Sequence, residues 1–267
     1  MAGETDLGAS PDHMGRDEVV RVLGILDGLN AAVIGGQSIN LWAELYHAGD
    51  PDIQAMPAMT SKDIDFYDND RAARELASRL EAGRILYPSA EDYTPTAAVV
   101  TGRIGGREIL VDFMRVVLGV DNPSDRFVSV EVDAGHGPAS ILLLHPLDCL
   151  RSRLVNINRL RRDDPISINQ ARAIIYVVRD FCAELIDAGN SRDAYRVLTE
   201  YADIIEHLYI GERSQEVLDR HVDPLLPLEA FRDDTRLDRR WLDHNLKRCI
   251  DTLQSRLQAT ASKPPGT

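Results

Sequence analysis

At Pro146 the pattern of the chain changes, and that change limits the fold more than any other feature. Before it, short runs of apolar and β-branched residues alternate with segments of helical periodicity; after it, strand signals stop. Beyond Pro146, "LDCLRSRLVNINRL", "INQARAIIYVVRDFCAELIDAG", "SRDAYRVLTEYADIIEHLY" and "RRWLDHNLKRCIDTLQSRLQ" carry apolar residues at helical spacing. Such a chain is expected to fold in the α/β (α+β) class: a mixed sheet with flanking helices, followed by a C-terminal helical bundle. The expected organisation is a loose tail over 1–15, an α/β core over 16–145, a helical domain over 146–258 and a second tail over 259–267.

Within the first half, "RDEVVRVLGILDGLN" reads as a helix, and "AAVIGG" as a short buried strand ending in two glycines. "QSINLWAELYHAG" follows as a helix closed by Gly49. After an irregular loop over 50–60, "DIDFY" reads as a strand and "DRAARELASRLEAG" as a helix stopping at Gly83. Asp68 and Asp70 are expected to cap that helix. "AAVVTGRI" and "REILVDFMRVV", joined by Gly105-Gly106, read as a hairpin, with "RFVSVEV" and "ASILLLH" as two further strands.

Two of these strands contain acids among apolar residues. In "DIDFY", alternation puts Ile64 and Phe66 on one face and Asp63 and Asp65 together on the other. Two carboxylates held that close repel unless a cation neutralises them, and a hard divalent ion does so through oxygen ligands. "EILVDFM" sets Asp112 inside an apolar strand, where a lone charge is costly. Asp112 is a third metal ligand, or it caps a loop, or it pairs with Arg107 or Arg115. "VIGGQS" offers a strand-to-helix turn at which Gly35 and Gly36 bring backbone N–H groups toward a phosphate and Ser38 adds a hydroxyl. The plain alternative is that the two glycines only make a tight turn.

Composition narrows the partners. The 267 residues carry a net charge of -13, which disfavours a surface built to coat nucleic acid or anionic membrane. Residues 151–179 invert that balance, with seven arginines (151, 153, 159, 161, 162, 172, 179) and two acids. They form either a phosphate-facing groove or a solvated face paired with acids elsewhere, Arg153 being the one favoured for phosphate. Cys149, Cys182 and Cys249 form no CxxC pair and read as core thiols in a reducing compartment. The N-terminal residues have no apolar stretch of a signal peptide, and no apolar run spans a bilayer, so a cytoplasmic protein is expected. Trp42, Tyr46 and Tyr176 are expected in the core, and neither His136 nor His145 has zinc-ligand spacing.

Taken in order, a Gly-Gly turn between strand and helix, an Asp-x-Asp strand and a lone Asp on a later hairpin strand resemble the nucleotidyltransferase fold of the DNA polymerase β superfamily. "GGQSINLW … TSKDIDFY" is most similar to its AbiEii/MenA-like group, which includes toxins of toxin–antitoxin pairs; the resemblance covers about residues 30–115. "LHPLDCLRSRLVNINRL" is similar to the helix after the core in that group, whose lysine reaches the nucleotide phosphates; here Arg153 stands in its place. An acid that the group often carries after this helix has no clear counterpart, "INQAR" occupying its place, and the stretch from Gly36 to Asp63 is longer than usual.

The resemblance implies transfer of a nucleoside monophosphate from a nucleoside triphosphate to an acceptor hydroxyl, with Mg²⁺ or Mn²⁺ held by Asp63, Asp65 and Asp112. It implies phosphate contacts from Gly35, Gly36, Ser38, Lys62 and Arg153, Lys62 being placed equally well to face away. The implied acceptor is tRNA or another RNA, and the implied partner a cognate antitoxin. Two alternatives remain: a small-molecule or protein acceptor, aminoglycoside-like chemistry suiting the acidic chain, and a scaffold that binds nucleotide without turnover.

Overall fold

A computed structural model describes residues 14–56, 63–89, 91–133 and 137–261. The tail expected over 1–15 therefore lies almost wholly outside the described residues, as do Lys62 and His136. The chain divides into two compact units. One comprises Met1–Val33, Thr60–Val116 and Ser129–Leu142, and the other Ile34–Met59, Val117–Val128 and Leu143–Thr267.

The first unit is organised by a sheet of seven strands: β1 (Ala32–Ile34), β2 (Ile64–Tyr67), β3 (Glu81–Leu86), β4 (Thr96–Ile104), β5 (Arg107–Met114), β6 (Val128–Asp133) and β7 (Pro138–Leu143). Their order is β3-β4-β5-β2-β1-β7-β6. The sheet is mixed: β2 runs parallel to β5, while β4 is antiparallel to both β3 and β5. The β4–β5 hairpin closes on Gly105 and Gly106, both at positive φ (59° and 83°), which a two-residue hairpin turn of this hand demands and L-residues resist. Helices α1 (Arg16–Leu26) and α4 (Asp70–Arg79) belong to this unit; α4 packs on β3, β4 and α1. The amphipathic periodicity is the reason, burying Val19, Val22, Leu23 and Leu26 of α1 and Ala72, Ala73 and Leu76 of α4.

Two local readings of this unit need correction. The helix expected to stop at Gly83 stops at Arg79, and Glu81 opens β3. Gly83 is the glycine of a strand passing close to a helix: a Cβ there would lie 2.0 Å from the Ala77 carbonyl oxygen. The cap of α4 is neither Asp68 nor Asp70 but Asn69, whose side chain accepts from the Ala72 N–H at 3.0 Å.

The second unit holds α2 (Gly35–His47), the single turn α3 (Pro51–Gln54), α5 (Pro146–Leu160), α6 (Pro165–Asp187), α7 (Ser191–Leu208), the short α8 (Arg213–Leu218), α9 (Leu226–Glu229) and α10 (Arg239–Trp241), and α11 (Lys247–Ala261). Helix α6 is its axis, contacting α2, α5, α7, α8 and α9. Its apolar positions explain this: Ala171, Ala173, Ile174, Ile175, Val177 and Val178 are each 0% exposed, which only a helix surrounded by others can achieve. Asp164 caps it, accepting from the backbone N–H groups of Ile166 and Ser167, with Pro165 at the first position. Trp42 is buried as expected, its indole N–H donating to the Leu144 carbonyl at 2.8 Å. The expected class, a mixed sheet with flanking helices followed by C-terminal helices, is the observed one. No helix among the described residues is long and apolar enough to cross a membrane.

Candidate functional site

The parallel pairing of β2 with β5 sets Ile64 against Val111, Asp65 against Asp112 and Phe66 against Phe113. Alternation then sorts the side chains. Ile64, Phe66, Val111 and Phe113 are at most 1% exposed, and the two phenyl rings stack with centroids 5.5 Å apart. Asp65 and Asp112 share the opposite face, and Asp63, two residues before Asp65, joins them. All three are half-buried, and each offers a carboxylate oxygen within 4.8 Å of the others. The apolar residues between the acids act as an anchor, since rotating either strand to separate the carboxylates would expose its buried phenylalanine, Phe66 on β2 or Phe113 on β5.

Burial raises the Asp112 carboxyl above its ordinary range, and the charge of Asp63 raises it further. Oxygens on one Mg²⁺ ion lie about 3 Å apart when adjacent and about 4.2 Å when opposite, given metal–oxygen distances near 2.1 Å. Carboxylate oxygens spanning at most 4.8 Å fit such a shell after small side-chain rotations, and the all-oxygen donor set suits a hard cation.

In the second unit, Gly35 and Gly36 form the first turn of α2. Gly35 sits at φ +64°, where the chain turns from strand into helix. A Cβ on Gly36 would come within 2.8 Å of Gln170 Nε2, so the second glycine leaves room for that amide. Ser38 is 0% exposed, and its hydroxyl lies 3.5 Å from the Cys149 sulfur. Burial pushes the Cys149 thiol up to about 12, so it is a neutral neighbour. Arg153 is buried too; Nη2 donates to Gln170 Oε1 at 2.5 Å and Nη1 to Ser167 Oγ at 3.4 Å.

The other arginines of the basic stretch divide. Arg151 pairs with Glu200 at 3.1 Å, and Arg179 bonds Asp50, Asp52 and Asp180. Arg159, Arg161 and Arg162 are exposed around the end of α5. His145 is the N-cap of α5, its Nδ1 accepting from the Leu147 N–H at 3.2 Å. Burial, and then the charge of Arg126, push its imidazole down to about 4, so it is neutral at physiological pH. Gln170 carries much of the local hydrogen bonding and had one visible signal: an amide one turn from Ser167 and from Ile174, on the buried face of an apolar helix.

No family model matches the chain, and no curated protein matches it in sequence. Among solved structures, the chain is similar to the crystal structure of the Megavirus polyadenylate synthase, with a TM-score of 0.38 and 11% identity over 82% of this chain and 49% of that one. The chain thus spans about half the length of that protein.

Proposed function

We propose that the chain is a metal-dependent nucleotidyltransferase, moving a nucleoside monophosphate from a nucleoside triphosphate to an acceptor hydroxyl. The observation that carries this reading is the register of Asp65 against Asp112, with Asp63 beside them and carboxylate oxygens within 4.8 Å. The order of motifs along the chain supports it.

In this reading Asp63, Asp65 and Asp112 hold Mg²⁺ or Mn²⁺, which supplies positive charge to the reacting phosphate and the leaving pyrophosphate. The acceptor oxygen forms a bond to the α-phosphorus as the bond from that phosphorus to the β-bridging oxygen breaks, and pyrophosphate leaves. Asp112 acts on the acceptor hydroxyl, either as the base that takes its proton or as a ligand of the catalytic metal. The first turn of α2, Gly35 and Gly36, donates backbone N–H groups to the β- and γ-phosphates. Ser38, the third phosphate contact that the motif resemblance implies, is fully buried with its hydroxyl 3.5 Å from the Cys149 sulfur. Arg153, and Lys62 outside the described residues, add charge for the pyrophosphate.

The motif resemblance to a toxin group makes RNA, tRNA first, the leading acceptor and an antitoxin the leading partner. The net charge of -13 favours a second acceptor class, polycationic small molecules such as aminoglycosides. Incorporation of each labelled nucleotide, with Mg²⁺ or Mn²⁺, into tRNA, other RNA, proteins and aminoglycosides tests the reading and names the acceptor. Asp63→Ala and Asp65→Ala are expected to abolish transfer while the protein still melts cooperatively. Transfer at the wild-type rate by both variants overturns the reading. Nucleotide binding without transfer to any acceptor leaves the non-catalytic scaffold.

A further inference from the structure

Gln170 makes three hydrogen bonds with one buried amide. Its Nε2 donates to the Gly36 carbonyl at 3.2 Å and to Asn40 Oδ1 at 3.0 Å, and its Oε1 accepts from Arg153 Nη2 at 2.5 Å. Chemistry fixes this orientation. A guanidinium only donates, so the amide oxygen must face Arg153, and both amide hydrogens must then face the two carbonyl oxygens. Gln170 is 2% exposed and Gly36 has no side chain to block it. Neither Glu nor Met can make all three bonds. Helix α2 itself opens without a side-chain cap, its N-cap being Ile34, so its first N–H groups are left for another acceptor.

We infer that Gln170 is a positioning residue for a polyphosphate: one amide fixes the Arg153 guanidinium and the uncapped Gly35–Gly36 turn as a single anion-accepting set. The cation and the helix N-terminus are both donor-only toward an anion, and each loses affinity if free to rotate away. Gln170 removes that freedom without neutralising Arg153. An acid at this position would pair with the guanidinium, cancel its charge and set an oxygen against the Gly36 carbonyl. The inference deepens the transferase reading for the phosphates, but its probe is inorganic tripolyphosphate, which needs no catalysis.

Calorimetric titration of tripolyphosphate, without divalent metal, compares wild type with Gln170→Glu and Gln170→Met. Both variants are expected to bind about tenfold more weakly. Gln170→Glu should regain affinity as the pH falls and the introduced carboxyl protonates, whereas Gln170→Met should stay weak at every pH. A purely structural amide would lower the melting temperature of both variants and leave the dissociation constant and its pH profile as in wild type. Equal binding by wild type and Gln170→Met overturns the inference, as does a wild type that binds no tripolyphosphate. Lost tripolyphosphate binding in both variants, in a protein that transfers no nucleotide, keeps the inference and overturns only the transferase reading.

Discussion

Two regions of the molecule each gather three aspartates, and they solve the repulsion in different ways. In the second unit, Asp50, Asp52 and Asp180 surround Arg179, which gives one nitrogen to each: Nη2 to Asp50 at 2.5 Å, Nη1 to Asp52 at 3.1 Å and Nε to Asp180 at 2.9 Å. The cation is part of the chain. Burial works to raise Asp50, but hydrogen bonds from Asp180 and the Asp52 N–H, with the charge of Arg179, hold its carboxyl below the ordinary range. In the first unit, Asp63, Asp65 and Asp112 face one another across two paired strands. There Asp112 is shifted up, by burial and then by Asp63, with no opposing cation among the causes. An acid cluster with a built-in guanidinium is a structural brace. One in which an acid's own neighbours raise its carboxyl is better suited to an ion from solution.

The largest expected effect tests the ion-accepting cluster. Asp112→Asn keeps the shape of the side chain and removes its charge. Nucleotide transfer is expected to fall about a thousandfold or more, the scale at which a misplaced charge-stabilising group is felt. Stability should move the other way. A carboxyl raised in the folded state costs stability as pH rises through its folded value, so the metal-free variant should melt higher than wild type at pH 7. Loss of transfer together with a lower melting temperature would break the comparison, because Asp112 would then be a brace.

The second effect tests the brace. Arg179→Met leaves Asp50, only 2% exposed at its side chain, facing Asp180 with no cation between them. Breaking a buried pair from one side costs about 3 kcal/mol or more. Chemical denaturation should show that loss at pH 7, and nucleotide transfer per folded molecule should change little. A loss below about 1 kcal/mol would place Arg179 with ordinary surface pairs.

How far the two clusters were visible in sequence follows from the distance between their parts. Asp63 and Asp65 are two residues apart, so strand alternation alone puts them on one face. That Asp112 sits opposite Asp65 depends on pairing β2 with a strand almost fifty residues away, and no local pattern states that register. The β4–β5 hairpin was legible because Gly105 and Gly106 announce the turn, whereas β3 was not: its one glycine reads as a helix stop when its cause is the Ala77 carbonyl beside it. The capping choice among Asp68, Asn69 and Asp70 turns on chemistry supplied from afar. Asn69 accepts from Ala72 and also donates its amide to the Leu29 carbonyl at 2.9 Å, and a carboxylate cannot do the second. The role of Gln170 is hidden from the sequence for the same reason, since its three partners lie on α2 and α5.

A third, smaller effect sharpens the contrast by supplying the cation. Mg²⁺ or Mn²⁺ at about ten times its dissociation constant should stabilise the wild type by about 1.4 kcal/mol, visible as a rise in melting temperature. The rise should fade on acidification as Asp112, its carboxyl raised by burial and by Asp63, protonates. Asp112→Asn should show a reduced rise at every pH. Arg179→Met should show the full wild-type increment, since its cluster lies in the other unit and is closed by its own guanidinium.

The smallest effect lies inside the brace. Burial pushes Asp180 up to about 6, Arg179 opposing and the hydrogen bond with Asp50 adding to the rise. A carboxyl raised in the folded state favours folding while protonated and costs stability as it ionises, here from about pH 4 to about pH 6. Asp50, held low, acts in the opposite sense: its contribution is present above the unfolded carboxylate range and is lost as pH falls through its folded value. The two shifts partly cancel in the wild type. Asp180→Asn removes one of them, so its stability relative to wild type should climb between pH 4 and pH 6 and then level off. The climb should be about 0.5–1 kcal/mol, since the side chain is partly solvated. Denaturant melts of both proteins at half-unit pH steps measure the difference directly. A flat difference would mean that Arg179 keeps all three of its acids ionised throughout, and a fall would mean that Asp180 is the acid held low and Asp50 the one that shares its proton.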